Sequence, residues 1–345
     1  MCRNESRKMS DRKAIPVDWK SLFDGSINEA EYFIPGIAPM GAVTYIYGAA
    51  KQGKSLFVLN AALNVSQGKT FLGQPCVKRR VAYLDFENSL EIHVKPRIEE
   101  MGFDPGFELE AESLSNLVYF SRQWFDDFDS VAGGQQLFDL MKEHACEAII
   151  IDTSMRRLKG ANDSFDTFNA FYRYTLERLA LAGYAVVLIE HNGKTTSRGM
   201  IGSSQKSAIA DCVWEYEFLS GTYKLTLDVS RHPVSEDVVE FALYENPLRY
   251  ELLEPGLSNS ARCARYLVSI DAPLDIAQKK AGEILRKKGY EIGNDSMREA
   301  LEIFKQIRKS SITNYQRHQE RPMYEESFGD DINETGPDDG WDWAS

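Results

Sequence analysis

Eight consecutive residues, Gly48-Ala49-Ala50-Lys51-Gln52-Gly53-Lys54-Ser55, constrain this chain more than anything else in it. They fit the spacing G-x-x-x-x-G-K-[ST], in which each part has a task. The glycines let backbone N–H groups converge on phosphate oxygens, the lysine reaches the β- and γ-phosphates, and the final hydroxyl ligates Mg²⁺. An apolar run, Ala42–Tyr47, leads into the loop, and Leu56, Leu59, Ala62 and Leu63 recur behind it at helical spacing. A strand, a glycine loop and a helix N-terminus in that order bring backbone donors and the positive end of a helix dipole to one anion. The pattern predicts a nucleotide-phosphate site formed by Gly48 to Leu56, with ATP and Mg²⁺ as its ligands.

The rest of the chain extends the same alternation. Val81–Asp85, Leu117–Phe120, Ala148–Asp152 and Tyr184–Glu190 are short runs, most of them apolar at nearly every position, as strands covered on both faces of a parallel sheet are. Between them lie segments of helical spacing, such as Phe165, Phe168, Tyr172, Leu176 and Leu179. This predicts an α/β domain with a mostly parallel sheet and its active groups at the carboxyl ends of the strands. Cys212–Phe218, Tyr223–Val229 and Val238–Tyr244 read as an antiparallel extension of that sheet. Glu254-Pro255-Gly256 breaks the pattern. The expected organisation is a lead-in over 1–35, a nucleotide-binding domain over 36–254, a small helical or winged-helix module over 260–310 and a disordered acidic tail over 311–345.

Three strand ends carry chemistry. Ala148–Asp152 closes in an acid where a carboxylate would hold the Mg²⁺ shell opposite Ser55. Val81–Asp85 is followed by Phe86-Glu87, which places a second carboxylate just beyond a strand end, while the position after Asp152 is Thr153, which cannot serve as a base. Leu188-Ile189-Glu190-His191 brings an imidazole to where a γ-phosphate could be sensed. The small, polar, basic stretch Gly193–Ser207 could grip a nucleic-acid backbone through Lys194, Arg198 and Lys206, or be a solvated loop.

Taken together, Gly48–Ser55, Tyr83-Leu84-Asp85-Phe86-Glu87, Ile150-Ile151-Asp152-Thr153 with Arg156-Arg157 behind it, Glu190-His191 and Ser197-Arg198-Gly199 resemble the RecA/DnaB-type motor family. Within it the likeness is closest to the plasmid RepA-type hexameric helicases, over about residues 35–245. The resemblance implies a RecA-like core, Glu87 as the acid that orients water for attack on the γ-phosphate, a ring of usually six subunits with ATP between neighbours, and single-stranded DNA in its channel. It also implies an arginine supplied by a neighbour. The family's late-strand Lys-x-Arg is matched here only by Arg231, since Val229 stands where the lysine would be; Arg198 is the rival. The expected activity is that of an ATP-driven DNA helicase of plasmid, phage or mobile-element replication. The alternative is a non-translocating RecA-like ATPase acting as a recombination mediator, helicase loader or nucleotide-dependent switch.

Charge matters chiefly in the C-terminal third. The formal net charge of −12 argues against indiscriminate nucleic-acid binding, but residues 320–345 alone hold nine acidic side chains and one basic. Residues 260–319 hold twelve Lys/Arg against seven Asp/Glu, so contact with a polyanion would be sought there. The acidic tail ends in Trp341 and Trp343, the form of a segment that docks on a replication protein or folds back on the basic module. The five cysteines are too scattered for a disulfide framework or a zinc site. No apolar run approaches the roughly 18–20 residues of a membrane span. The N-terminus lacks the apolar core of a signal peptide, so a cytoplasmic location is expected.

Overall fold

The computed structural model describes residues 16, 18, 19, 30–103, 114–160, 164–191 and 209–319, apart from 220, 221, 235, 246 and 255, with only the backbone from 310 onward. The chain opens with a short hairpin, β1 (Tyr32–Ile34) and β2 (Ala38–Pro39), and then enters β3 (Val43–Gly48). Helix α1 (Lys54–Gln67) follows the glycine loop and stops at Gly68, whose positive φ of 70° caps it. A second small hairpin, β4 (Thr70–Phe71) and β5 (Gln74–Pro75), leads to β6 (Val81–Asp85). A π-type turn over Leu90–Val94 then runs into α2 (Lys95–Glu100).

Next come β7 (Leu117–Ser121), α3 (Val131–Glu143), β8 (Ala148–Asp152) and a 3₁₀ turn over Ser154–Arg157. Helix α4 (Phe165–Phe171) continues through a π segment into α5 (Glu177–Leu181), ahead of β9 (Ala185–His191). Four strands close the domain: β10 (Cys212–Leu219), β11 (Thr222–Ser230), β12 (Val238–Glu245) and β13 (Leu248–Leu252). The C-terminal helices are α6 (Asn259–Ser269), α7 (Gln278–Lys287) and α8 (Asn294–Gln319).

Nine strands form one sheet in the order β13-β12-β11-β10-β3-β9-β8-β6-β7. Strand β3 lies in parallel between β9 and β10, and β8, β6 and β7 continue the parallel part. Here the structure departs from the sequence reading. Strand β10 belongs to the parallel set, and the antiparallel extension starts only at the β10–β11 turn, then gains β13 as its edge. The apolar texture of Cys212-Val213-Trp214, buried on both faces, is what a parallel partner of β3 requires.

Side chains alternate between two cores. One face buries Ile46, Tyr83, Ile150, Val187 and Trp214 against α1; the other buries Tyr45, Leu84, Ile151 and Leu188 against α3 to α5. The three C-terminal helices close a separate small core around Leu267, Leu285 and Phe304, and among the described residues there no strand forms a wing. They touch the sheet through Arg262–Glu240 and Lys288–Glu245 ion pairs and through Leu253, Ala242 and Tyr244. Helix α8 runs on to Gln319, past Ser311 where the sequence reading begins the tail. The rest of that tail lies outside the described residues.

Candidate active site

Strand register decides which groups meet. At the carboxyl edge of the sheet Gly48 is paired with His191, Asp152 with Ile189, and Asp85 with both Asp152 and Ser121. Alternation then sorts faces. Gly48, His191, Asp152 and Asp85 share parity with the residues packed on α1, so all four belong to the α1 side of the sheet. Residues from four strands thus converge on the N-terminus of one helix.

The glycine loop needs its glycines. A Cβ on Gly48 would lie 2.1 Å from the carbonyl oxygen of Tyr216 on neighbouring β10, so only glycine lets the two strands run this close. Gly53 has φ 96° at the entry to α1, in the left-handed region, and Lys51 also has positive φ at 63°. Ala49, Ala50 and Gln52 complete the loop, and Leu56 is half-buried in the first turn of the helix.

Lys54 is 3% exposed. Its Nζ donates to the carbonyls of Gly48 (2.9 Å) and Ala49 (2.7 Å) and lies 3.3 Å from His191 Nδ1. Burial pulls its pKa down to about 8, against the opposing charges of Asp152, Glu87 and Glu190. An ammonium has only donors, so His191 accepts at Nδ1 and carries its proton on Nε2. Burial, then the Lys54 charge, lowers the His191 pKa and keeps the ring neutral.

Asp152 is 2% exposed. It is hydrogen-bonded to the Ser55 side chain and accepts from the Tyr83 hydroxyl at 3.1 Å. Burial raises its pKa to about 7, reinforced by Asp85 and Glu87 and opposed by the two hydroxyl bonds. One hydroxyl and one carboxylate suit Mg²⁺, a hard cation that keeps several waters and substrate phosphate oxygens as ligands. No group of three His, Cys, Asp or Glu that could cage a metal exists among the described residues, so a dedicated protein-only metal site is not built there.

Glu87 follows β6 by two residues. Its charge acts on Lys54, Asp152 and His191, as that of Glu190 acts on Lys54 and His191. Its carboxylate bonds Arg156 at 3.2 Å. On the opposite face of the sheet the buried Glu190 carboxylate accepts from Ser154, tying the end of β9 to the turn after β8.

Two predicted arginine positions fare differently. Arg231 follows β11, which runs antiparallel to β10, so it sits beside Asp211 (3.9 Å) at the amino edge of the parallel strands. The whole length of β3 separates it from its own glycine loop. Arg198 lies outside the described residues, as do Lys194 and Lys206. Three residues around Glu87 had no role in the sequence reading: Asp85, Arg122 and Arg156. Asp85 and Arg156 stand in stretches that carry the family resemblance but were given no role there, and Arg122 is marked only by its place just after a strand of the parallel sheet.

A family model described as an AAA domain matches residues 6–197, more than half of the chain. No curated protein matches it.

Proposed function

The chain belongs to the AAA-domain family of P-loop ATPases, and from that premise we propose that it is an ATP-driven motor on single-stranded DNA, of the RepA-type replicative helicase kind. The observation that carries this reading is the convergence of Lys54, His191, Asp152–Ser55 and Glu87 on one helix N-terminus, from segments up to 137 residues apart in sequence. An acid two residues past the second large strand, with a histidine closing β9, is the arrangement of a RecA-like motor.

In this reading the loop amides and Lys54 hold the β- and γ-phosphates, the ammonium exchanging the Gly48 and Ala49 carbonyls for phosphate oxygens. Ser55 and Asp152 would hold Mg²⁺, which when bound neutralises charge on the phosphate oxygens. Glu87 aligns a water. The water oxygen forms the new bond to the γ-phosphorus, the bond to the β–γ bridging oxygen breaks, ADP leaves with that electron pair, and the water's proton passes by way of Glu87 to solvent. The Nε2–H of His191 donates to the γ-phosphate and reports its presence to the following loop. A neighbour supplies Arg231 or Arg198, and the ring, expected to be a hexamer, closes around DNA held by Lys194, Arg198 and Lys206. The Trp341/Trp343 tail recruits a replication protein.

ATP hydrolysis measured with and without oligo-dT, together with strand displacement on a forked duplex, tests the proposal. Stimulation by the oligonucleotide and ATP-dependent unwinding are expected. Hydrolysis indifferent to DNA, with no unwinding, would replace the motor by a nucleotide-dependent switch.

A further inference from the structure

Glu87 is gripped at three separate places, each by a side chain from a different strand end. Its backbone N–H donates to Asp85 Oδ1 at 2.8 Å. Its carbonyl accepts a forked pair from Arg122, 3.1 Å from Nε and 2.7 Å from Nη2. Its carboxylate Oε1 accepts from Arg156 Nε at 3.2 Å. Asp85 closes β6, Arg122 follows β7, and Arg156 lies in the turn after β8. The support is itself anchored. Asp85 is buried and accepts from the Tyr119 hydroxyl at 2.5 Å and from the Asn88 side chain at 3.0 Å. Arg157, next to Arg156, donates to the carbonyl of Gln123, next to Arg122, at 2.9 Å.

A residue in a strand-to-helix turn ordinarily satisfies its peptide groups through chain neighbours or water. The N–H of Glu87 is satisfied in that way, by Asp85 two residues back, but side chains 35 and 69 residues distant hold its carbonyl and one carboxylate oxygen. Such restraint suits an acid that must present its other oxygen to a water within a fraction of an ångström. Stability is a poor explanation: the Arg156 and Glu87 side chains are 60% and 37% exposed, and exposed ion pairs contribute little to folding.

We propose that Arg122 and Arg156 are positioning residues that preorganise Glu87, an inference that rests on reading Glu87 as the water-orienting acid. The test measures kcat, KM for ATP and melting temperature in full-length Arg122→Ala, Arg156→Ala, Arg156→Lys and Glu87→Gln, and in Arg156→Ala and Arg122→Ala each combined with Glu87→Gln. Each arginine-to-alanine change is expected to lower kcat about tenfold. KM and melting temperature should stay where they are, and lysine at 156 should restore part of the rate. In the Glu87→Gln background, followed over hours, neither change should slow turnover further, because residues acting through one group are non-additive. Arginine variants with unchanged or raised kcat, or with the same fold loss in the Glu87→Gln background, overturn the inference while leaving the role of Glu87 standing. A Glu87→Gln protein that turns over like the parent removes the role of Glu87, and the inference with it.

Discussion

In the proposed reading, nucleotide affinity turns on Lys54. A buried ammonium bonded to two loop carbonyls is already in place and needs only to exchange partners when a triphosphate arrives. Lys54→Ala should therefore abolish ATP binding in calorimetry as well as turnover; normal turnover would remove the loop from the mechanism. Asp152 offers a test that needs no nucleotide. Its folded pKa, about 7, lies above the ordinary 3.8, so keeping it ionised in the folded protein costs stability. That cost is absent below about pH 4, grows as pH rises and is fully present above about pH 7. Without Mg²⁺, Asp152→Asn should melt above the parent at about pH 8, with the gap closing as pH falls to about 4. Mg²⁺ takes the ionised form, so its addition at about pH 6 should release protons.

At the scale of elements, the loop's shape depends on the strand beside it. Strand β10 passes so near β3 that Gly48 has no room for a Cβ, and Tyr216, Tyr223 and Tyr250 back the loop at Gly53. Gly48→Ala should force β3 and β10 apart and cost about 1–3 kcal/mol, seen as a lower urea midpoint, and should weaken ATP binding as well. An alanine with parental stability would mean that the two strands separate freely. The apolar runs made the parallel strands legible because strands buried on both faces must be apolar throughout. Strand β13 and the two small hairpins left no comparable trace. Leu248-Arg249-Tyr250-Glu251-Leu252 does alternate apolar and polar residues as a half-buried edge strand does, but over only five residues, and the hairpin strands of two or three residues are too short to show a period.

For the whole molecule, the separate core of α6 to α8 implies that the sheet domain can fold without it. A chain ending near residue 256 should keep ATP binding but lose a few kcal/mol, because Leu253, Ala242 and Tyr244 lose part of their cover. Failure to fold would make the module part of the domain. Arg231 belongs at this scale too. It lies at the edge of the sheet opposite its own glycine loop, so any contact with a triphosphate must be made in a neighbouring copy. Equal mixtures of Arg231→Ala and Lys54→Ala protomers should recover part of the ATPase rate that each lacks alone. No recovery, with assembly confirmed by native mass spectrometry, would exclude the arginine. Among the described residues no helix is long and apolar enough to cross a membrane.

The sequence alone determined what is local: a phosphate-binding loop between strand and helix, the apolar strands around it, and the acids and histidine that end them. Those features are written in consecutive residues, where periodicity and motif spacing act directly. Which ends meet was decided only by tertiary structure. Strand order sets His191 against Lys54, places Arg156 and Arg122 on Glu87, makes β10 a parallel neighbour of β3 and sends Arg231 to the far edge. Such contacts join residues tens to hundreds of positions apart. They depend on sheet register, which the hydrophobic pattern of each strand permits but does not specify.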